Sequence, residues 1–175
     1  MILGVTGCVG AGKSTVAAIL GGFGARVLDV DEVAARALRE SSLGLSPAQA
    51  LHAVVTNSPD SPRIHAALVP VVQARVEAWA KESTTPGVLE AAILFEYGLE
   101  RFCDLTLCVT CPPEERKRRV LARSTASARL FEFIEASQWS EAAKAARCSE
   151  SVDGTLPTDA LYERLSKVWA LQTKA

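Results

Sequence analysis

Apolar residues run almost unbroken through the opening "MILGVT", which reads as a buried strand, since a strand covered on both faces shows no polar alternation. Behind it, "KSTVAAILGGFG" spaces its apolar positions at helical intervals and predicts a helix closed by glycines. "ARVLDVD" predicts a second short strand ending in carboxylates, and "EVAARALRE" the helix after it. Residues 41–62 are rich in turn formers, with one short helical stretch from Pro47 to Val55. "RIHAALVPVVQARVEAWAKE" predicts a long helix that Pro70 should kink or restart. "GVLEAAIL" and "DLTLCVT" read as the third and fourth strands, and "PPEERKRRVLAR" and "SARLFEFIEAS" as two further helices. "ESVD" is a weak fifth strand and "TDALYERLSKVWAL" an amphipathic closing helix. Strands that alternate with helices imply the α/β class, a parallel sheet with helices on both faces.

Composition narrows this only a little. At 175 residues the chain is expected to form one domain, residues 1–175, with a real core. Hydrophobic residues make up 49% and charged residues 22%, which excludes the disordered class. Nineteen basic side chains against 20 acidic ones leave a net charge of −1, so no nucleic-acid partner is expected. Five cysteines, an odd number without a secretory signal, suit a reducing cytoplasm better than a disulfide framework. No apolar run approaches the roughly 18 residues of a membrane span, so a cytoplasmic protein with no membrane partner is expected. Oligomeric state is not legible.

The chemistry is concentrated first in "GCVGAGKST". Gly7 to Ser14 match G-x-x-x-x-G-K-[ST] in full, behind a strand and ahead of a helix, the context this motif requires. Glycines let the backbone curl until several N–H groups point at phosphate oxygens, and the new helix adds its positive end. Gly7, Gly10, Ala11, Gly12, Lys13, Ser14 and Thr15 are therefore the ATP-binding candidates. Lys13 supplies a point charge for the β and γ phosphates, and Ser14 a hydroxyl for Mg²⁺. The bland alternative, a glycine-rich turn with a chance lysine, does not explain the complete pattern. A GTPase would also need D-x-x-G and N-K-x-D, and neither occurs. Small-molecule kinases are the natural class.

Asp29 and Asp31 stand two apart in "VLDVDEVA". In an extended chain that spacing turns both to one side, beside the phosphate loop at the carboxyl end of the sheet. Two acids there can hold a hydroxyl, take its proton or orient metal-bound water. The plainer reading has Asp31 cap the next helix. Glu90 ends an apolar run where a metal-holding carboxylate would sit, and Glu96 is a weaker candidate for substrate contact. Arg116, Arg119 and Arg123 share a helix face; Arg119 or Arg123 can reach a transferring phosphoryl group. Glu114 and Glu115 paired with Arg118 and Arg119 would instead make a solvated face. Cys108 and Cys111 form a lone C-x-x-C and read as buried thiols rather than a zinc site. His52 and His65 are isolated and carry no assigned role.

"LGVTGCVGAGKSTVAAIL" followed by "GARVLDVDEVAARAL" resembles the opening of dephospho-coenzyme A kinases, where a TGGIGSGKS-type loop leads to a D-A-D pair. Further on, "VPVVQARV" resembles that family's H-P-L-V helix start and "VLEAAILFE" its D-I-P-L-L-F-E segment. "CDLTLCVTCPPEERKRRVLAR" resembles its fourth strand and arginine-bearing helix, and "SQWSEAAKAARCSESVDG" its Q-x-P-x-x-x-K…A-D-x-V-I-D-N stretch. The resemblance implies a P-loop kinase-like three-layer fold with a five-stranded parallel sheet and a helical lid at about 119–145. Its core would be 1–40 and 86–175, with a helical acceptor-binding segment at about 41–85. It implies transfer of the ATP γ-phosphate, with Mg²⁺, to the 3′-hydroxyl of dephospho-CoA. By motif position Asp31 would be the base, Asp29 its partner in orienting metal or sugar, and Arg119 and Arg123 the arginines leading into the lid.

The chain departs from the pattern at several places. Val69 stands for the histidine before Pro70, Ala91 and Ala92 for I-P, Gly154 for asparagine and Ser149 for aspartate, and the segment 41–62 is short. Two alternatives stay open: another small P-loop kinase, of shikimate or gluconate type, or a nucleotide-binding module without turnover. The glycine triplet of shikimate kinases is absent, and a bare binding module has no need of the paired acids.

Overall fold

The computed structural model describes residues 1–82, 84–123 and 128–173. In chain order the elements are β1 (Ile2–Thr6), α1 (Lys13–Gly22), β2 (Arg26–Asp29), α2 (Val30–Glu40), α3 (Pro47–Val55) and α4 (Ser61–Lys81). Then come β3 (Gly87–Glu90), a short 3₁₀ turn (Leu99–Phe102), β4 (Leu105–Thr110), α5 (Pro113–Arg123), α6 (Ala128–Ser137), α7 (Glu141–Arg147), β5 (Glu150–Asp153) and α8 (Thr158–Thr173). The five strands form one sheet in the order β2-β3-β1-β4-β5, every neighbouring pair parallel. Alternate strand residues feed two separate cores. Leu3, Val5, Val88, Leu107 and Val109 pack with α1 and α8, while Ile2 and Leu89 pack with α2, α3 and α4. The result is the expected three-layer α/β arrangement, with β1 central and its carboxyl end feeding the glycine loop.

Several boundaries differ from the sequence reading. The second strand stops at Asp29 instead of running through Asp31, because the Asp29 carboxylate turns back over the next helix. Its Oδ1 accepts the N–H of Asp31 at 2.8 Å and, more weakly, that of Glu32 at 3.4 Å. Asp29, rather than Asp31, is thus the cap of α2. The third strand ends at Glu90 rather than Leu94 because its neighbours run out. Glu90 is already level with Asp29, the last residue of β2, and the Ala91 N–H takes the Val5 carbonyl just before β1 turns into the loop. Pro70 lies inside a single uninterrupted α4; it is exposed, so the backbone bond it cannot make faces water.

Helix α7 was not foreseen. Seven residues would not hold a helix alone. Ser140 Oγ accepts the Ala143 N–H at 3.2 Å, and Lys144 anchors the helix from within. The Lys144 side chain is fully buried, its Nζ 2.7 Å from the Ala92 carbonyl and 2.6 Å from Glu96 Oε1. The five cysteines are free, with Cys8, Cys108 and Cys111 buried. No described helix is long and apolar enough to cross a membrane. Residues 124–127 of the expected lid lie outside the described residues; the rest of it comprises the end of α5, α6 and the start of α7.

Candidate active site

The loop between β1 and α1 is shaped by contacts that exclude side chains. At Gly10, φ is +80°, and an added Cβ would come within 2.6 Å of the Arg116 carbonyl. At Gly7 the same atom would come within 2.4 Å of the Val109 carbonyl. The loop therefore lies directly on the β4–α5 connection. Arg116 holds it there from below: this buried guanidinium donates to the Cys111 and Val9 carbonyls and pairs with Glu135. On the far side, Gln138 Oε1 accepts the Val9 N–H at 3.0 Å. Helix α1 starts at Lys13 with no side-chain cap, which suits a helix end built to receive phosphate. Ser14 and Thr15 are exposed in its first turn.

Lys13 donates to the Cys8 carbonyl at 3.3 Å. Enclosure by the surrounding walls pushes its ammonium below the ordinary lysine value, against the pull of Asp31 and Glu90. Asp31, in the first turn of α2, faces the same space. Its surface stays open to solvent, yet walls stand on most sides, and this enclosure raises its carboxyl above the usual range. Lys13 opposes the rise and Asp29 adds to it. Glu90, paired with Asp29 across the sheet, is raised likewise by burial and then by Asp29. Three acids and one lysine thus form one electrostatic unit at the carboxyl ends of β2 and β3.

Beside this unit opens a cavity of about 880 Å³, lined by Lys13, Asp31, His65, Glu96, Tyr97 and Gln138 and, for the rest, mainly by apolar side chains of α2, α3, α4 and α6. Lys13 and Asp31 both line it, whereas the sequence reading turned Asp29 to the same side as Asp31. Glu96 also lies there. Its Oε1 accepts both Lys144 Nζ and, at 2.9 Å, the Trp139 N–H, and its Oε2 is buried with no partner among the described residues. Asp29, Glu90, Ser14 and the two arginines stand outside the lining.

Arg119 lies across the loop, donating to the carbonyls of Gly154 at 3.0 Å and Ala11 at 3.4 Å. It also pairs with Glu115, which Arg118 and Arg119 together hold down to about 2. The ion-paired reading of this helix therefore holds for Glu115, with Arg118 bound at i+3 by Glu115 rather than by Glu114. Arg123 is exposed at the end of α5. Gly154 packs so closely that a Cβ would meet the Ala11 carbonyl at 2.2 Å. Gly154→Asn is accordingly expected to push the loop out of shape and weaken ATP binding by about tenfold or more. Calorimetric titration checks it; an unchanged affinity would contradict the packing argument.

Sequence reasoning missed Arg116, Tyr97, Gln138 and Lys144 as parts of this site and left His65 without a role. Gln138 and Lys144 did stand in the quoted "SQWSEAAK" stretch, where a buried lysine has no local signature. His65 and Tyr97 meet only through the tertiary fold.

A glycine cradle at the end of the central strand, a half-buried lysine and an acid sharing its cavity define a P-loop kinase, an ATP-dependent phosphotransferase. A family model described as an AAA domain matches residues 3–140. Dephospho-CoA kinase of Ruegeria pomeroyi is 34% identical over 184 residues, covering 95% of this chain and 91% of that protein. Dephospho-CoA kinase of Thermus thermophilus is 36% identical, covering 97% and 91%. The crystal structure of TT1252 from Thermus thermophilus superposes with a TM-score of 0.78 at 34% identity, covering 97% of this chain and 96% of that one. The chain belongs to the family described by that AAA-domain model and, within the P-loop fold, to the dephospho-CoA kinase family.

Proposed function

We propose that this protein moves the γ-phosphoryl group of ATP to the 3′-hydroxyl of the dephospho-CoA ribose, giving coenzyme A. The observation that carries the reading is that Lys13 and Asp31 line one cavity large enough for a nucleotide-linked acceptor. Gly7 and Gly10 to Thr15 cradle the ATP phosphates with backbone N–H groups, and Lys13 places its charge on the β and γ oxygens. The acceptor enters from the side of α2, α3 and α4, its apolar parts against their side chains. Asp31 receives the proton of the attacking hydroxyl, and Arg119 or Arg123 neutralises charge on the phosphoryl group in transit. Asp29 keeps Asp31 in place by capping the helix that carries it, with its second oxygen left for sugar. Glu96, which lines the same cavity, is the weaker candidate for acceptor contact.

The donor set suits Mg²⁺. The Ser14 hydroxyl and the Glu90 carboxylate are hard oxygen ligands, and Mg²⁺ is ordinarily held by one or two such groups plus water and substrate phosphates. Among the described residues no three His, Cys, Asp or Glu side chains converge to hold an ion unaided. Bound with ATP, the ion supplies charge neutralisation at the β and γ phosphates. Closure of the described lid helices, the end of α5 with α6 and the start of α7, excludes water as a competing acceptor. Five free cysteines support a cytoplasmic setting.

Incubation with Mg·ATP and a panel of dephospho-CoA, shikimate and gluconate tests the reading. Phosphate on dephospho-CoA is expected. Transfer to another member would reassign the acceptor, and ATP binding without transfer would leave a nucleotide-binding module.

A further inference from the structure

Two residues of the acceptor cavity take no part in the chemistry above. His65, from α4, and Tyr97, from the segment after β3, line it together with Asp31. Their rings meet edge to face, with centroids 6.0 Å apart and planes at 81°. The Tyr97 backbone is held as well: its N–H donates to the Ile93 carbonyl at 3.0 Å, and its carbonyl accepts Gln73 Nε2 at 2.7 Å. Gln73 and His65 both come from α4, so one helix fixes the backbone and steadies the ring.

Tyr97 is a neutral donor within electrostatic reach of Asp31. Burial first, and then the Asp31 charge, raise its phenol above the ordinary tyrosine value, so the hydroxyl keeps its proton at neutral pH. This donor answers a requirement that a base alone leaves open. A carboxylate at Asp31 accepts the proton of an attacking alcohol but does not settle how the carbon frame is turned, and misorientation is costly for transfer. Lys13 is directed to the loop, at the Cys8 carbonyl. A phenol fixed in the same cavity as the base can grip a second oxygen of the acceptor, next to the reacting one.

We propose that Tyr97 orients the acceptor by donating a hydrogen bond to the oxygen vicinal to the reacting hydroxyl, and that His65 is the positioning residue that braces the Tyr97 ring. The acceptor class is therefore a vicinal diol, such as the cis-diol of a ribose, with one hydroxyl on Asp31 and its neighbour on Tyr97. The assignment rests on the kinase reading of the same cavity.

The experiment compares wild type, Tyr97→Phe, His65→Ala and His65→Phe with dephospho-CoA and with its 2′-deoxy analogue. Tyr97→Phe is expected to lower kcat/KM for dephospho-CoA about tenfold, the loss of one hydrogen bond, while the ATP dissociation constant stays within about twofold. With the 2′-deoxy acceptor, wild type is expected to fall to the same level and Tyr97→Phe to cost nothing more. His65→Ala should follow Tyr97→Phe, and His65→Phe, which keeps an aromatic edge, should remain within about threefold of wild type. A merely structural role would not cancel against removal of one substrate oxygen. Equal rates for Tyr97→Phe and wild type, or losses that multiply across enzyme and substrate, would overturn the assignment while leaving the kinase reading intact. If wild type phosphorylates shikimate or gluconate instead, the dephospho-CoA reading fails, and the Tyr97 comparison on that polyol decides this inference separately. Transfer to none of them overturns both.

Discussion

Asp31→Asn is expected to give a protein that binds ATP normally, melts at a higher temperature near neutral pH, and transfers phosphate more slowly by about 10²–10⁴-fold. The rate loss is the ordinary contribution of a positioned general base. The gain in stability follows from the direction of the carboxyl's shift. Enclosure and Asp29 raise the Asp31 pKa in the folded protein, so the fold binds this proton more tightly than the unfolded chain does. Below the unfolded value of about 3.9 the acid is neutral in both states and costs nothing. As pH rises through the folded value the cost of the charge appears in full, and at neutral pH asparagine removes it. The same shift sets the acid limb of the wild-type kcat/KM profile above the ordinary carboxylate range. Melting curves, ATP titration and the pH profile measure these together. A variant that loses stability and activity in parallel would make Asp31 a structural residue and remove it from the chemistry.

Lys144→Met is expected to be the most destabilising single change among the residues around the site. Its ammonium is fully buried between the Ala92 carbonyl and Glu96, and Glu96 is largely shielded. Removing one member of a buried pair leaves the other charge uncompensated, at a cost of about 3–5 kcal/mol. In a domain of this size that lowers the melting temperature by on the order of 10 °C. Adding Glu96→Gln should recover part of the loss, because the amide keeps an oxygen for the Trp139 N–H without carrying charge. The single variant should also raise the acceptor KM, since Glu96 belongs to the cavity wall. A melting temperature unchanged within about 2 °C would show that the pair contributes little to the fold.

The class of the molecule was legible because its decisive features are local. Strand followed by G-x-x-x-x-G-K-[ST] followed by helix needs nothing from the rest of the chain. Gly7, Gly12 and Lys13 occupy the fixed positions of that motif, the helix starts at Lys13, and Pro47 to Val55 form the short helix that their spacing suggested. The acid pair was half legible. The two positions belong to the site region, but an extended chain through Asp31 was the wrong geometry, because Asp29 bonds the N–H groups ahead of it and starts the helix early. The end of β3 was illegible for a different reason. "AAIL" is as apolar as any strand, and its pairing lapses where β2 ends at Asp29, level with Glu90, and β1 turns into the loop after Thr6.

By itself, the sequence determined the alternation of strands and helices, the glycine loop ahead of α1 and the family, because periodicity, glycine placement and motif spacing are properties of neighbouring residues. The tertiary structure alone decided the β2-β3-β1-β4-β5 order, the meeting of Lys13 with Asp31 in one cavity, the burial of Lys144 on Glu96 and the contact of His65 with Tyr97. Each of these joins residues far apart in the chain, where a side chain's partner and its exposure to water are set by packing rather than by local pattern.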